Sequence, residues 1–252
     1  MRGLLSDLHI HTALSPCADR LMRPRAIVEG AVRRGLAMIA ICDHNSAGNV
    51  AAVCGAAEAA GRGLLTVIPG IEIGTCEEVH VLGLFPTITA ALQVSDAVRA
   101  GLPEIPRAGA GTPSWWAEQL LLDARDQEVG SEQRMLGLAC AFDLAGAVGL
   151  IREHGGLAVA AHVDRRSFSI IAQLGFLPEG IVFDALEISA AGVSRERAAN
   201  YQDLGLPLVS GSDSHCPEEI GSGCTALLVE EPSFDELRLA ISGQAGRRCA
   251  VA

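Results

Sequence analysis

The chain has 252 residues, 49% hydrophobic and 19% charged, and nineteen basic residues against thirty acidic ones leave a net charge of −11. All nineteen basic residues are arginine, which excludes a P-loop lysine, a Schiff-base lysine and a protein-kinase catalytic lysine. The acidic balance argues against nucleic acid as a partner, because non-specific affinity comes from neutralised phosphates, although bound divalent ions would reverse the sign locally. The apolar fraction is ample for one core, and no apolar run approaches the roughly 18 residues of a membrane span. The first residues lack the apolar region of a secretory signal. Eight cysteines are scattered without a C-x-x-C pair and read as free thiols. The expectation is a cytoplasmic protein whose residues 1–252 form a single domain.

In chain order, strand-length apolar runs alternate with helical stretches. Residues 4–10 read as a first strand, and Pro24 opens a helix that stops at Gly35. An apolar run at 37–42 has buried-strand length and precedes an alanine-rich helix over 47–60. Strands follow at 64–68 and 79–85. The stretch between Phe85 and Leu157 is far too long for a simple crossover. It reads as an inserted helical segment, approximately 87–150, with helices at 115–128 and 131–140, a loop rim at 103–113, and both tryptophans, Trp115 and Trp116. Further on, helices are expected at 145–153, 194–204 and 234–241, the last capped by Ser233. Strands are expected at 157–161, 183–188, 206–209 and 225–229. Repeated β-then-α order means a parallel sheet covered by helices, and seven or eight such units suggest a closed α/β barrel.

The chemistry gathers at strand ends. His9 and His11 are two apart on the first strand and face the same side. Asp43-His44 follows the second strand, Glu72 follows the third, and His80 opens the next. His162 follows the strand at 157–161, and Ser212-Asp213-Ser214-His215 follows that at 206–209. The carboxyl-end face of a parallel barrel is where active sites are built. Imidazoles mixed with carboxylates suit zinc, iron or manganese, and so many ligands exceed one ion's coordination, which implies two or three metals. The seventh histidine, His154, lies at a helix C-terminus just ahead of glycine and receives no catalytic role.

The set His9-x-His11, Asp43-His44, Ala161-His162 and Ser212-Asp213-Ser214-His215 resembles the PHP (polymerase and histidinol phosphatase) family, over nearly the whole chain. The resemblance implies a distorted seven-stranded (β/α)7 barrel with a trinuclear metal site. It implies that His9, His11, Glu72 and Asp213 hold one ion, and that Glu72 bridges to a second held with His80 and His162. His44 and His215 would hold the third, with one more ligand from the loop after the first motif. Many family members carry a histidine there; here the loop reads Ser15-Pro16-Cys17-Ala18-Asp19, and Asp19 is the candidate, its alternative role being to cap a turn. His9, His11, Glu72, Asp213 and His215 are the residues this assigns to catalysis. Arg165 and Arg166 could clamp a phosphate bidentately, and Arg20 is a further candidate. Glu187 and Asp164, also at strand ends, could position a ligand, protonate a leaving group or cap a helix.

The expected activity is metal-dependent hydrolysis of a small phosphorylated metabolite such as a nucleotide, a bisphosphate or histidinol phosphate. The alternatives are an exonuclease of the same family acting on nucleic acid, a non-catalytic metal-binding regulatory module, and hydrolysis of a C–N bond by a related metal barrel.

Overall fold

The computed structural model describes residues 1–61, 63–105, 118–192 and 200–252. The first half runs β1 (Arg2–Ile10), α1 (Pro24–Arg33), β2 (Met38–Ile41), α2 (Val50–Ala60), β3 (Thr66–Gly74), β4 (His80–Leu84) and α3 (Ile88–Ala100). Then come β5 (Leu120–Leu122), β6 (Glu128–Ser131), α4 (Leu144–Glu153), β7 (Leu157–Ala160), α5 (Ile170–Leu174) and β8 (Ala185–Ser189). The chain closes with β9 (Leu208–Gly211), β10 (Thr225–Val229), α6 (Phe234–Ile241) and β11 (Arg248–Val251). Among the described residues no helix is long and apolar enough to cross a membrane.

Nine strands form one sheet in the order β11-β10-β1-β2-β3-β4-β7-β8-β9. The trios β1-β2-β3 and β7-β8-β9 are each parallel, and β4 runs antiparallel between them. Beyond β9, the Asp213 amide donates to the His9 carbonyl at 2.8 Å and the His11 amide to the Ser214 carbonyl at 3.1 Å. These bonds draw the exit of β9 against the end of β1, so the sheet curls nearly shut. The sheet has nine strands where the sequence suggested seven, because β10 turns back antiparallel along β1 and pairs with β11 on its other side.

Two further expectations change. The Pro69-Gly70 pair reads as a strand break, yet β3 continues through it to Gly74 and places Glu72 inside the strand. A tight turn then returns the chain as β4 without a helix between, so β4 is reversed and His80, at its start, lies beside Gly74 at the end of β3. The insertion is not helical throughout. Residues 88–100 form α3, but 120–122 and 128–131 pair as an antiparallel hairpin. Here the Asp123 carboxylate accepts from the backbone amides of Arg125 and Gln127, both at 2.8 Å, and so favours a turn over a helix. The rim at 106–113, Trp115, Trp116 and most of the expected 194–204 helix lie outside the described residues.

Side-chain alternation divides the core in two. Ile39 and Ile41 of β2 pack in one cluster with Ile27 of α1 and Val50 and Val53 of α2. Met38 and Ala40 instead join Leu8, Leu82 and Val159 in a second cluster, which Phe234, Leu237 and Ile241 of α6 complete. This is the period of two expected of a strand buried on both faces. Side-chain caps fix the helix starts: Thr87, Asp143, Ser169 and Ser233 each accept a backbone amide three residues on.

Gly211 ends β9 where no side chain fits. A Cβ there would stand 2.7 Å from Oε1 of Glu187 and 2.9 Å from the His9 amide nitrogen. Gly149, in the middle of α4, has open space around its own Cβ direction. Gly211→Ala should therefore cost about 1–3 kcal/mol by overpacking. Gly149→Ala should instead gain about 0.5–1 kcal/mol from helix propensity. Urea unfolding midpoints of the two variants should move in opposite directions from wild type.

Candidate metal centre

Backbone pairing positions the centre before any side chain is considered. Past the end of β2, the Glu72 amide donates to the Asp43 carbonyl at 3.0 Å and the Asn45 amide to the Glu72 carbonyl at 2.7 Å. The ladder between β1 and β2 shifts register between Asp7 and Ile10, next to the two histidines. Such irregularities re-aim side chains. Asn45, His162, Phe168 and Asp213 all adopt positive φ, at 50°, 29°, 58° and 51°. Non-glycine residues rarely sit there, and such strain concentrates at functional sites.

The carboxylate of Glu72, 0% exposed, is the hub. Its Oε2 lies 2.9 Å from Nδ1 of His44, 3.3 Å from Nε2 of His11 and 3.5 Å from Nε2 of His9. Its Oε1 lies 2.8 Å from Nδ1 of His80 and 3.1 Å from Nε2 of His162. Asp213 adds a second carboxylate, Oδ1 being 2.8 Å from Nε2 of His11 and 3.3 Å from Nε2 of His9. His215 bonds the Asp213 carbonyl through Nδ1 at 2.8 Å, and its ring stacks on His11 with centroids 4.3 Å apart. The structure thus brings together His9, His11, His44, Glu72, His80, His162, Asp213 and His215.

These groups do not satisfy one another. Nε2 of His9 and Nε2 of His11 stand 3.1 Å apart, and two imidazole nitrogens can share only one proton. Oε2 of Glu72 and Nδ1 of His162 are buried without a hydrogen-bond partner. Five rings around one carboxylate, with orphaned lone pairs, match a shared cation better than a hydrogen-bond network. Among the described residues, three sets have donor atoms that all lie within 4.8 Å of one another: His9, His11, Glu72 and Asp213; His44, Glu72 and His80; and His11, His44 and His215. The sets overlap at His11, His44 and Glu72, so the residues fit more than one divalent ion.

Electrostatics agree. Burial opposes charge on Glu72, but His80, His9 and His44 hold its carboxyl well below the usual range. Burial likewise disfavours charge on His11, yet the carboxylates of Asp213 and Glu72 push it up to about 9. His44 is also pushed up to about 9, chiefly by Glu72 against burial. Burial and the neighbouring His11 push His215 down to about 4. A metal must displace protons from His11 and His44, so affinity rises with pH.

Outer carboxylates orient the rings. Glu187 stands 3.1 Å from Nδ1 of His9 with both oxygens and accepts from the His162 amide at 3.0 Å. Asp43 accepts from the Ser15 hydroxyl at 2.6 Å, and Ser15 Oγ lies 2.9 Å from Nδ1 of His11. Asp7 accepts from the amides of Ser212 and Gly221 and so ties the loop after β9 to β1. Asp164 accepts from both the amide and the hydroxyl of Ser189. In the sequence Ser15 stands in the loop with Asp19 and Asp43 in the Asp43-His44 motif, and neither carries a signal for this supporting role.

The remaining candidates separate. Arg165, its side chain 41% exposed, pairs through NH1 with Oδ2 of Asp213. Arg166 lines the adjoining cavity of about 420 Å³ with Asp164, Arg165 and Ser189. Arg20 is not at the centre: it pairs with Glu118 at 3.3 Å and Glu128 at 3.6 Å on the surface. Asp19 is exposed and accepts from the Leu21 amide at 2.8 Å, so its carboxylate caps a turn and stays outside the donor sets. His154 caps α4, with Nδ1 3.0 Å from the Leu150 carbonyl.

A family model described as PHP domain matches residues 7–177, and one described as PHP-associated matches 195–244. The chain is 39% identical over 95 residues to the 5'-3' exoribonuclease Rnm of Escherichia coli K12, a stretch covering 36% of this chain and 30% of that protein. Among solved structures, endonuclease Q of Pyrococcus furiosus aligns with 98% of this chain and 58% of its own, at TM-score 0.71 and 18% identity. Endonuclease Q in complex with a 27-mer duplex carrying an abasic lesion aligns over the same shares, at TM-score 0.65 and 18% identity. Against such relatives the expectation that nucleic acid is not a partner fails. The charge of −11 describes the whole chain, whereas divalent ions held by these donors would reverse the sign locally.

Glu187→Gln keeps the shape of the side chain but removes the charge behind His9. Metal affinity, measured by competition with a chelating dye, should fall by about 10–100-fold. Asp19→Ala should leave it unchanged.

Proposed function

The chain belongs to the PHP domain family, and from that premise we propose that it is a metal-dependent phosphoesterase that hydrolyses nucleic acid, with RNA as its first substrate to test. The observation that carries the reading is the Glu72 hub, where one buried carboxylate meets five imidazoles in overlapping donor sets. The family's metal dependence and the name of the exoribonuclease relative support it. The matched stretch spans less than a third of that relative, so the RNA specificity is this proposal's own. The relatives favour nucleic acid over the small phosphorylated metabolite expected from the sequence.

In this reading His9, His11, Glu72 and Asp213 hold one ion, Glu72 with His80 and His162 a second, and His44 with His215 a third. Manganese, iron and zinc all suit such donors. The ions, when bound, supply an activated water and charge neutralisation for in-line displacement at phosphorus. The protein's task is to fix that geometry. Glu187 and the Asp43–Ser15 pair hold His9 and His11 in one orientation each. Arg165, anchored on Asp213 through one nitrogen, turns its remaining N–H groups to the non-bridging phosphate oxygens, and Arg166 follows it in the loop after β7. The insertion forms one wall of the cleft, and the whole of 1–252 acts as one unit.

A 5'-phosphorylated single-stranded RNA oligonucleotide should be shortened by the purified protein, and a chelator should stop the reaction until manganese is restored. Arg165→Ala should lower kcat/KM by about 10–100-fold, the worth of a charged hydrogen bond. Release of phosphate from small monophosphates while RNA stays intact would refute the proposal.

A further inference from the structure

A cavity of about 240 Å³ adjoins the metal centre and shares no lining residue with the one at Arg165 and Arg166. His44 and His80 form its inner wall. Leu136, Gly137, Leu138 and Ala139 of the insertion also line it, together with the exposed residues Glu78 and Phe168. Asn45 fixes the distance between these walls. Its Nδ2 donates to the carbonyls of Leu136 and Leu138 at 2.8 and 2.9 Å, and its Oδ1 accepts from the Gly74 amide at 3.0 Å. The residue that follows His44 therefore staples the insertion to the metal loop.

Two residues in this cavity are placed for a ligand. Phe168 is 43% exposed, and its ring stacks on His80 with centroids 4.7 Å apart and planes 15° apart. Its backbone is held at φ 58°, and its carbonyl accepts from the His80 amide at 2.9 Å. Glu78 is also held in the left-handed region, at φ 59°, in the turn between β3 and β4. Among the described residues its carboxylate has no hydrogen bond or ion pair. Strain of this kind persists only where the surrounding structure imposes it. A flat aromatic face, an apolar wall and an acceptor with free lone pairs are the elements that recognise a heterocycle.

We propose that this cavity receives the nucleobase adjoining the phosphate at the metal centre, with Phe168 as its stacking face and Glu78 as the acceptor that selects guanine. Guanine presents two parallel donors, N1–H and the N2 amino group, which a carboxylate accepts together; adenine and cytosine offer only an amino group, and uracil a single imino N–H. The inference rests on the nuclease reading for its substrate class, but it concerns a different set of side chains and has its own readout.

The test is equilibrium binding to the metal-loaded protein, by calorimetry, of GMP, AMP, UMP and ribose 5-phosphate. GMP should bind about tenfold more tightly than ribose 5-phosphate, the scale of one stacked base. Phe168→Ala should abolish that advantage and leave ribose 5-phosphate affinity as it was. Leu138→Trp, which fills the cavity from the insertion, should do the same with metal content unchanged. Glu78→Gln should remove the preference for GMP over AMP. Equal binding of GMP and ribose 5-phosphate, or a base advantage that survives both cavity variants, would overturn the proposal. Base-dependent binding in a protein that leaves RNA intact would uphold the cavity's role and overturn only the nuclease reading.

Discussion

One buried carboxylate sets the terms for the rest of this molecule. Glu72 is wholly enclosed, and an isolated charge in such a place would be driven to neutralise. It remains strongly acidic because His80, His9 and His44 surround it, and those rings come from β4, β1 and the loop after β2. Three features of the fold that depart from a regular barrel serve this convergence. The reversal of β4 puts His80 beside the end of β3. The register shift in β1 accompanies the turn of His9 and His11 toward one point. The missing side chain at Gly211 lets β9 approach His9 and Glu187 closely.

Much of this centre was legible in the sequence because strand-end histidines at short spacings have few other uses. His9-x-His11, His44, His162 and Asp213-x-His215 all arrive where the pattern placed them. What the pattern missed is physical in origin. A proline followed by glycine usually ends a strand, but Ile41 of β2 pairs with Pro69 and the Phe85 amide donates to the Pro69 carbonyl, so β3 runs on. The run Leu120–Leu122 carries no helical or strand period of its own, and the Asp123 turn decides for a hairpin. Asp19 and Arg20 were read by type and nearness in sequence, while their partners, Leu21, Glu118 and Glu128, became visible only in three dimensions.

The supporting carboxylates show why the site tolerates little change. Asp7, Asp43 and Glu187 are each buried and each accept from backbone or hydroxyl donors that also belong to the ligand loops. Loss of any one leaves buried donors unpaired as well as a ring free to turn. Asn45 extends the same network to the insertion. The cavity wall and the loop that carries His44 are therefore directly hydrogen-bonded, and changes in the insertion should reach the centre through His44.

The most direct measurement is metal content by elemental analysis of wild type and Glu72→Gln prepared side by side without chelator. If Glu72 is the shared ligand of a multinuclear centre, wild type carries about two to three ions per chain. The folded variant should then carry at most one. One ion or none in wild type, or equal content in both, would contradict the account.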